Sequence, residues 1–326
     1  MAEQREHVQR IRRWLIAQKD YWFCMTHEQR KLVTQALLQH CILPRAVLSA
    51  SDASFCAKFL WMMHFPLATN KFSLMIVYDN IFSESLSTLL AALTENEARN
   101  YARFLNTSLA YLAPLHLSEA NYNDRAVNAW RGLTGFQKQW HYERGYLPPK
   151  SRTIRQRMPS QPPAGSGDAR RIKPGSVMLS YEDFRTVMRK WQVNLTKAFI
   201  CVLEAERSDT VRNGLLALKE MQKSFPVISQ YGRRILDKVN EVAAGGRTAG
   251  PRDGAADGED KNLKVMAASY GAYLSMAKRN WISEADYFSM PSKSTPRRTP
   301  QPATRQKGRG PDSNGGAASP AAPKTD

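Results

Sequence analysis

Residues 179–199 read LSYEDFRTVMRKWQVNLTKAF. Phe184, Val187, Met188, Trp191, Leu195 and Phe199 recur at steps of three, one, three, four and four. A helix turns once per 3.6 residues, so this spacing puts all six on one face. Ser180 and Asp183 ahead of the run have the form of a capping box, in which a side-chain oxygen accepts from a free N–H of the first turn. Arg185, Arg189, Lys190 and Lys197 stand between the apolar positions. Arg185, Arg189 and Lys190 are a candidate partner face, for an acidic subunit or RNA. The alternative is the solvated charge that any surface helix carries.

The same rhythm extends in both directions. Val8, Ile11 and Leu15 share a face within 5–18, and Leu32, Ala36, Leu37 and Cys41 within 28–41, with Pro44 following. Ser51 or Asp52 is a candidate cap for Phe55, Cys56, Phe59, Leu60 and Met63, a stripe closed by Pro66. Residues 72–93 read as one helix with a break near Asp79. Thr94 and Glu97 make a capping box for Tyr101, Phe104, Leu105 and Leu109, and Pro114 is read as the stop. A weaker helix is expected over 119–131, and further helices over 209–224, 227–242 and 261–280. No segment alternates with a period of two, so no strand is expected. The fold class that follows is all-α: irregular stacked helical hairpins, α-solenoid-like.

Two stretches have another character. Residues 137–178 are proline-rich and contain Arg152, Arg155, Arg157, Arg170, Arg171 and Lys173; residues 282–326 contain Lys293, Arg297, Arg298, Arg305, Lys307 and Arg309. Neither has the apolar content to build a core, so they read as a disordered basic insertion and a disordered basic tail. The division expected is thus a helical segment 1–136, the insertion 137–178, a helical segment 179–281 continuing the same array, and the tail 282–326. Of the formal charge of +18, most lies in the insertion and the tail. Such a distribution points to a polyanion, RNA or alternatively DNA. The clusters RRIKP at 170–174 and PRRTP at 296–300 suit nuclear import, and nuclear localisation is expected. Thr295, Thr299 and Ser319 each precede proline and are candidate phosphorylation sites.

Catalytic parts are missing from the pattern. There is no GxGxxG, no GxxxxGK[ST] and no HExxH, and His40 beside Cys41 points the two side chains in different directions on a helix. The six histidines read as surface or hydrogen-bonded residues, and Glu95 and Glu97 as complements to a helix N-terminus. Cys24, Cys41, Cys56 and Cys201 read as free thiols in a reducing compartment. Neither an enzyme nor a cofactor is expected, and no apolar run reaches the ~18 residues of a membrane span. Trp14 and Trp191 read as core. Trp140 and Tyr142, beside the insertion, suit base stacking as well as packing.

Taken in order, RRWLIAQKDYWF, CILPRAVLSASDASFCAKFL, YDNIFSES, TENEARNYARFL, LTGF, YEDFRTVMRKWQVNLTKAF and VRNGLLALKEM resemble the C-terminal helical region of the THO complex subunit 2 family. The resemblance covers roughly 10–136 and 177–280. It implies an elongated helical scaffold that is not an enzyme. Its complex couples transcription to messenger ribonucleoprotein packaging and export, with other THO complex subunits and a DEAD-box RNA helicase as partners. It further implies nucleic-acid binding by the basic tail. The chain departs from the family in being several times shorter and in the longer step from Phe136 to Val177. A stand-alone, non-sequence-specific RNA-binding protein is the rival reading.

Overall fold

The computed structural model describes residues 2–19, 21–23, 27–65, 67–69, 71–128, 135–136, 179–245 and 256–288. They form α1 (Ala2–Gln18), α2 (His27–Ala36), α3 (Leu43–Ala46), α4 (Ala50–His64), α5 (Leu74–Ile81), α6 (Leu86–Ala92), α7 (Glu95–Leu117), α8 (Glu119–Tyr122), α9 (Tyr181–Leu203), α10 (Ser208–Met221), α11 (Ser229–Ala244), α12 (Ala256–Ala277) and α13 (Glu284–Phe288). Among the described residues there is no strand, only one parallel bridge between Ile228 and Ile282. The fold is all-α, a solenoid-like array in which successive helices pack on one another.

The helix α9 is built as its spacing predicts. Ser180 accepts the Asp183 N–H at 3.1 Å, and all six stripe residues are buried. The helix packs against α6, α10 and α11, while α7 lies between α4 and α10. One apolar core runs through these helices, from Phe23 to Leu274. At the α7 N-terminus the Glu97 carboxylate accepts from the Thr94 N–H and hydroxyl, both at 2.8 Å, completing the expected capping box.

Four boundaries differ from the sequence reading. The cap of α4 is Ser49, which accepts from the Asp52 N–H at 3.1 Å, so the helix starts ahead of Ser51 and Asp52. Pro44 does not close the second helix. Leu37–Ile42 widens into a π turn in which the Leu43 N–H reaches Leu38 O, and Pro44 enters α3 at a position that needs no N–H. Pro114 lies inside α7. The carbonyl that loses its donor belongs to Ala110, an exposed residue, so the helix continues to Leu117 at small cost. The break in 72–93 falls at Phe82–Ser85 rather than at Asp79: Ser83 and Ser85 share a hydroxyl hydrogen bond at 2.6 Å, and Asn194 Nδ2 donates to the freed Phe82 O at 3.0 Å.

The carboxyl-terminal boundary also moves. Ordered backbone continues beyond residue 281 as a strap: Ile282 N–H donates to Val227 O at 3.0 Å, Ser229 N–H to Ile282 O at 2.9 Å, and Tyr287 is buried. Residues 282–288 therefore belong to the folded body; the missed signal is the apolar set Trp281, Ile282, Tyr287 and Phe288, too short for a helical period. At the other junction Leu179 N–H donates to Phe136 O at 2.7 Å, and the Tyr122 hydroxyl donates to Leu179 O at 2.8 Å. The Phe136 ring packs edge-on to Phe184 and Tyr122. Residues 136 and 179 are thereby pinched together in the core.

Candidate interaction surfaces

The basic residues of the insertion (Arg152, Arg155, Arg157, Arg170, Arg171, Lys173) and of the tail (Lys293, Arg297, Arg298, Arg305, Lys307, Arg309) lie outside the described residues, as do Thr295, Thr299, Ser319, Trp140 and Tyr142. Arg185, Arg189 and Lys190 are described; Arg185 is buried, Lys190 half-buried and Arg189 exposed, and each has a partner within the chain. Arg185 is buried and donates to the Asp286 and Tyr287 carbonyls, under the strap. Arg189 pairs with Glu284 at 2.7 Å and lies over the Phe288 ring at 5.0 Å. Lys190 pairs with Asp79 on α5. These three hold the strap and α5 onto α9, and Arg189 keeps part of its surface in water. Their partners come from sequence positions about a hundred residues away, which no local spacing reveals.

Two histidines depart from the expectation of exposed or hydrogen-bonded side chains. His64 is buried between Trp61 and Phe136, and His116 stacks on Tyr287 with ring centres 3.9 Å apart; among the described residues Nε2 of each has no hydrogen-bond partner. Burial pushes both down to about 4, helped at His116 by the Arg185 charge. The two belong to different contacts, and among the described residues no group of three His, Cys, Asp or Glu side chains converges on a metal-sized site. Cys41, Cys56 and Cys201 are free thiols, as read. An open depression lies beside Cys201, edged by Lys197, Glu204, Glu206 and Arg234. Among the described residues no helix is long and apolar enough to cross a membrane.

The surface that the sequence reading missed is α1. Trp191 is fully buried as expected, but Trp14, read as core, is 60% exposed, and Val8 and Ile11 are exposed with it. From Glu3 to Gln18 only Leu15 is even half-buried. The helix is held at its end: Phe23 is buried against Phe72 at 5.4 Å, and Lys19 Nζ donates to Ala68 O at 3.1 Å. The available signal was composition: four arginines and two glutamates among the 17 residues of α1.

Across residues 1–274, from α1 into α12, the chain matches the family model described as transcription factor/nuclear export subunit protein 2. The chain belongs to this family. It is 28% identical to the THO complex subunit 2 of Mus musculus over 285 residues, and 28% identical to that of Homo sapiens over the same length; both matches cover 87% of this chain. With the Arabidopsis thaliana protein of the same name the identity is 26% over 311 residues, or 94% of the chain. The matched region is about 15% of the length of the animal relatives and 14% of the plant one. The family match therefore takes in the helical body on both sides of residues 137–178, and stops before the basic tail.

Proposed function

We propose that this chain is a non-enzymatic scaffold segment of a nuclear THO-like complex that couples transcription to mRNA packaging and export. The observation that carries the reading is the family match across the helical body, together with relatives named as subunits of that complex. On this reading the helices hold other THO complex subunits and a DEAD-box RNA helicase docks on the assembly. The basic residues of 137–178 and of the tail hold RNA, or DNA, by neutralising phosphates, which needs charge and little else. The internal engagement of Arg185, Arg189 and Lys190 supports a division of labour in which the body's charges stabilise the array and those outside it meet nucleic acid.

Affinity purification of the tagged full chain from nuclear extract, with and without nuclease, tests the proposal. Other THO subunits and a helicase that stay bound after nuclease treatment are the expected result. Recovery of RNA-dependent neighbours alone would replace it with the stand-alone RNA-binding reading.

A further inference from the structure

We infer that Ser283 is a phosphorylation site for an acid-directed serine kinase, and that its phosphate unlatches the strap from α9 and α11. The sequence from Ser283 reads SEAD, with carboxylates one and three positions after the hydroxyl. A kinase whose substrate cleft is lined by basic side chains selects a serine by carboxylates placed just after it. Ser283 is exposed, and its hydroxyl donates to Asp286 Oδ2 at 2.7 Å while accepting the Asp286 N–H at 3.0 Å.

The spacing alone selects nothing, because a helix cap has the same form. Ser49 with Asp52, Thr94 with Glu97 and Ser180 with Asp183 repeat it. Those three open α4, α7 and α9, helices of 15, 23 and 23 residues whose buried apolar faces belong to the main core. A kinase takes its substrate as extended chain, so reaching any of them means unfolding that core. Ser283 opens α13, which has five residues. The strap side chains Ile282, Tyr287 and Phe288 pack in a separate apolar cluster with Ile228 and Tyr231. Opening the strap breaks that cluster, the Ile282 backbone pairing, the Tyr287 stack on His116 and the Glu284 contacts to Arg189 and Tyr231; it leaves α4, α7 and α10 in place.

The step joins Ser283 Oγ to the γ-phosphorus of ATP as the bond to the bridging oxygen breaks. ADP leaves, and the hydroxyl proton passes to the kinase's catalytic base. The resulting dianion has no proton to donate to Asp286, so an attractive contact of 2.7 Å becomes one between two anions. Residues 281–288 hold Glu284 and Asp286 and no basic residue, so with the phosphate they carry a charge of about −4. Arg189 is already taken by Glu284. The closed strap is therefore weakened by the phosphate and the open one is not.

The test uses the full chain, ATP and a purified acid-directed serine kinase, with tandem mass spectrometry to place the phosphate. Ser283 should be labelled ahead of Ser49, Thr94 and Ser180. Gly232→Ala, which displaces the strap without altering the serine, should speed labelling, and adding Asp286→Asn in that background should slow it about tenfold by removing a carboxylate that the kinase reads. In a chain synthesised with phosphoserine at 283, the Ile282 and Tyr287 amides should exchange about tenfold faster, with those of α10 unchanged. Absence of phosphate at Ser283 in both wild type and Gly232→Ala would overturn the site. Labelling of Ser49 or Ser180 as fast as Ser283 would show that spacing decides and the strap does not. Unchanged or slower exchange of Ile282 in the phosphoserine chain would overturn the unlatching, the phosphate then holding α13 closed.

Discussion

The Asp79 carboxylate accepts a hydrogen bond from the Trp191 indole Nε1–H at 3.0 Å, joining α5 to α9 across 112 positions of sequence. The same oxygen pairs with Lys190, and both charged side chains are largely withdrawn from water. Removing the carboxylate takes the acceptor from the buried indole N–H and breaks the ion pair with Lys190. Asp79→Ala is expected to cost about 3 kcal/mol, the usual scale for breaking a shielded pair. Glu84→Ala, which removes the partner of Lys197 on the same helix but in an exposed pair, should cost less than about 1 kcal/mol. Urea midpoints of the two variants measured side by side check the contrast.

Gly232 faces the Trp281 indole so closely that a Cβ there would lie 2.7 Å from the ring. An indole is rigid, so Gly232→Ala should displace Trp281 and with it the strap. The expected signature is local: faster amide exchange over residues 281–288, with a global loss of about 1–3 kcal/mol. Unchanged protection of Ile282 would contradict this role for the glycine.

Acid should weaken the fold through its buried histidines. His64 and His116 are held at about 4 by burial, against about 6.5 in an unfolded chain. The unfolded state therefore takes up protons first as pH falls. Their contribution is complete above about 6.5 and is lost progressively toward 4, with up to about 3 kcal/mol at stake per histidine. Urea midpoints at pH 7, 5.5 and 4.5 should fall in that order, and His64→Leu should flatten the decline. Parallel curves for wild type and variant would show that His64 does not set the slope.

Phosphorylation of the tail is expected to loosen nucleic acid. Thr295 and Thr299 precede prolines and flank Arg297 and Arg298. Each phosphate adds about −1.5 to −2 charge and engages neighbouring guanidinium groups. In the charge mimic Thr295→Glu/Thr299→Glu, the slope of log affinity against log salt should drop by about 2. Deleting residues 289–326 should lower low-salt RNA affinity further. An unaltered slope in the double variant would mean that these threonines do not tune the tail.

The helical array could be read from single stretches because burial follows period. Phe184, Trp191, Leu195 and Phe199 are all fully buried, as their spacing requires, and Thr94 with Glu97 closes a helix end through local bonds alone. Proline was the less dependable sign. Its effect on Pro44 and Pro114 depends on whether the carbonyl it deprives has another recourse, and that is a property of register and exposure. The candidate surfaces were harder still. Whether Arg189 meets water or Glu284, and whether Trp14 meets a core or solvent, is decided by elements far along the chain.

The pinch between Phe136 and Leu179 holds the two ends of residues 137–178 at one place in the core. The entropy of joining two fixed ends grows only with the logarithm of the number of residues between them, so halving or doubling that number here should shift stability by about 0.6 kcal/mol. The array can therefore lengthen, shorten or rewrite these residues with little thermodynamic penalty, while those at the pinch stay confined to aromatic contacts that tolerate few substitutions. Lineages that differ widely in this stretch are expected to share one helical body.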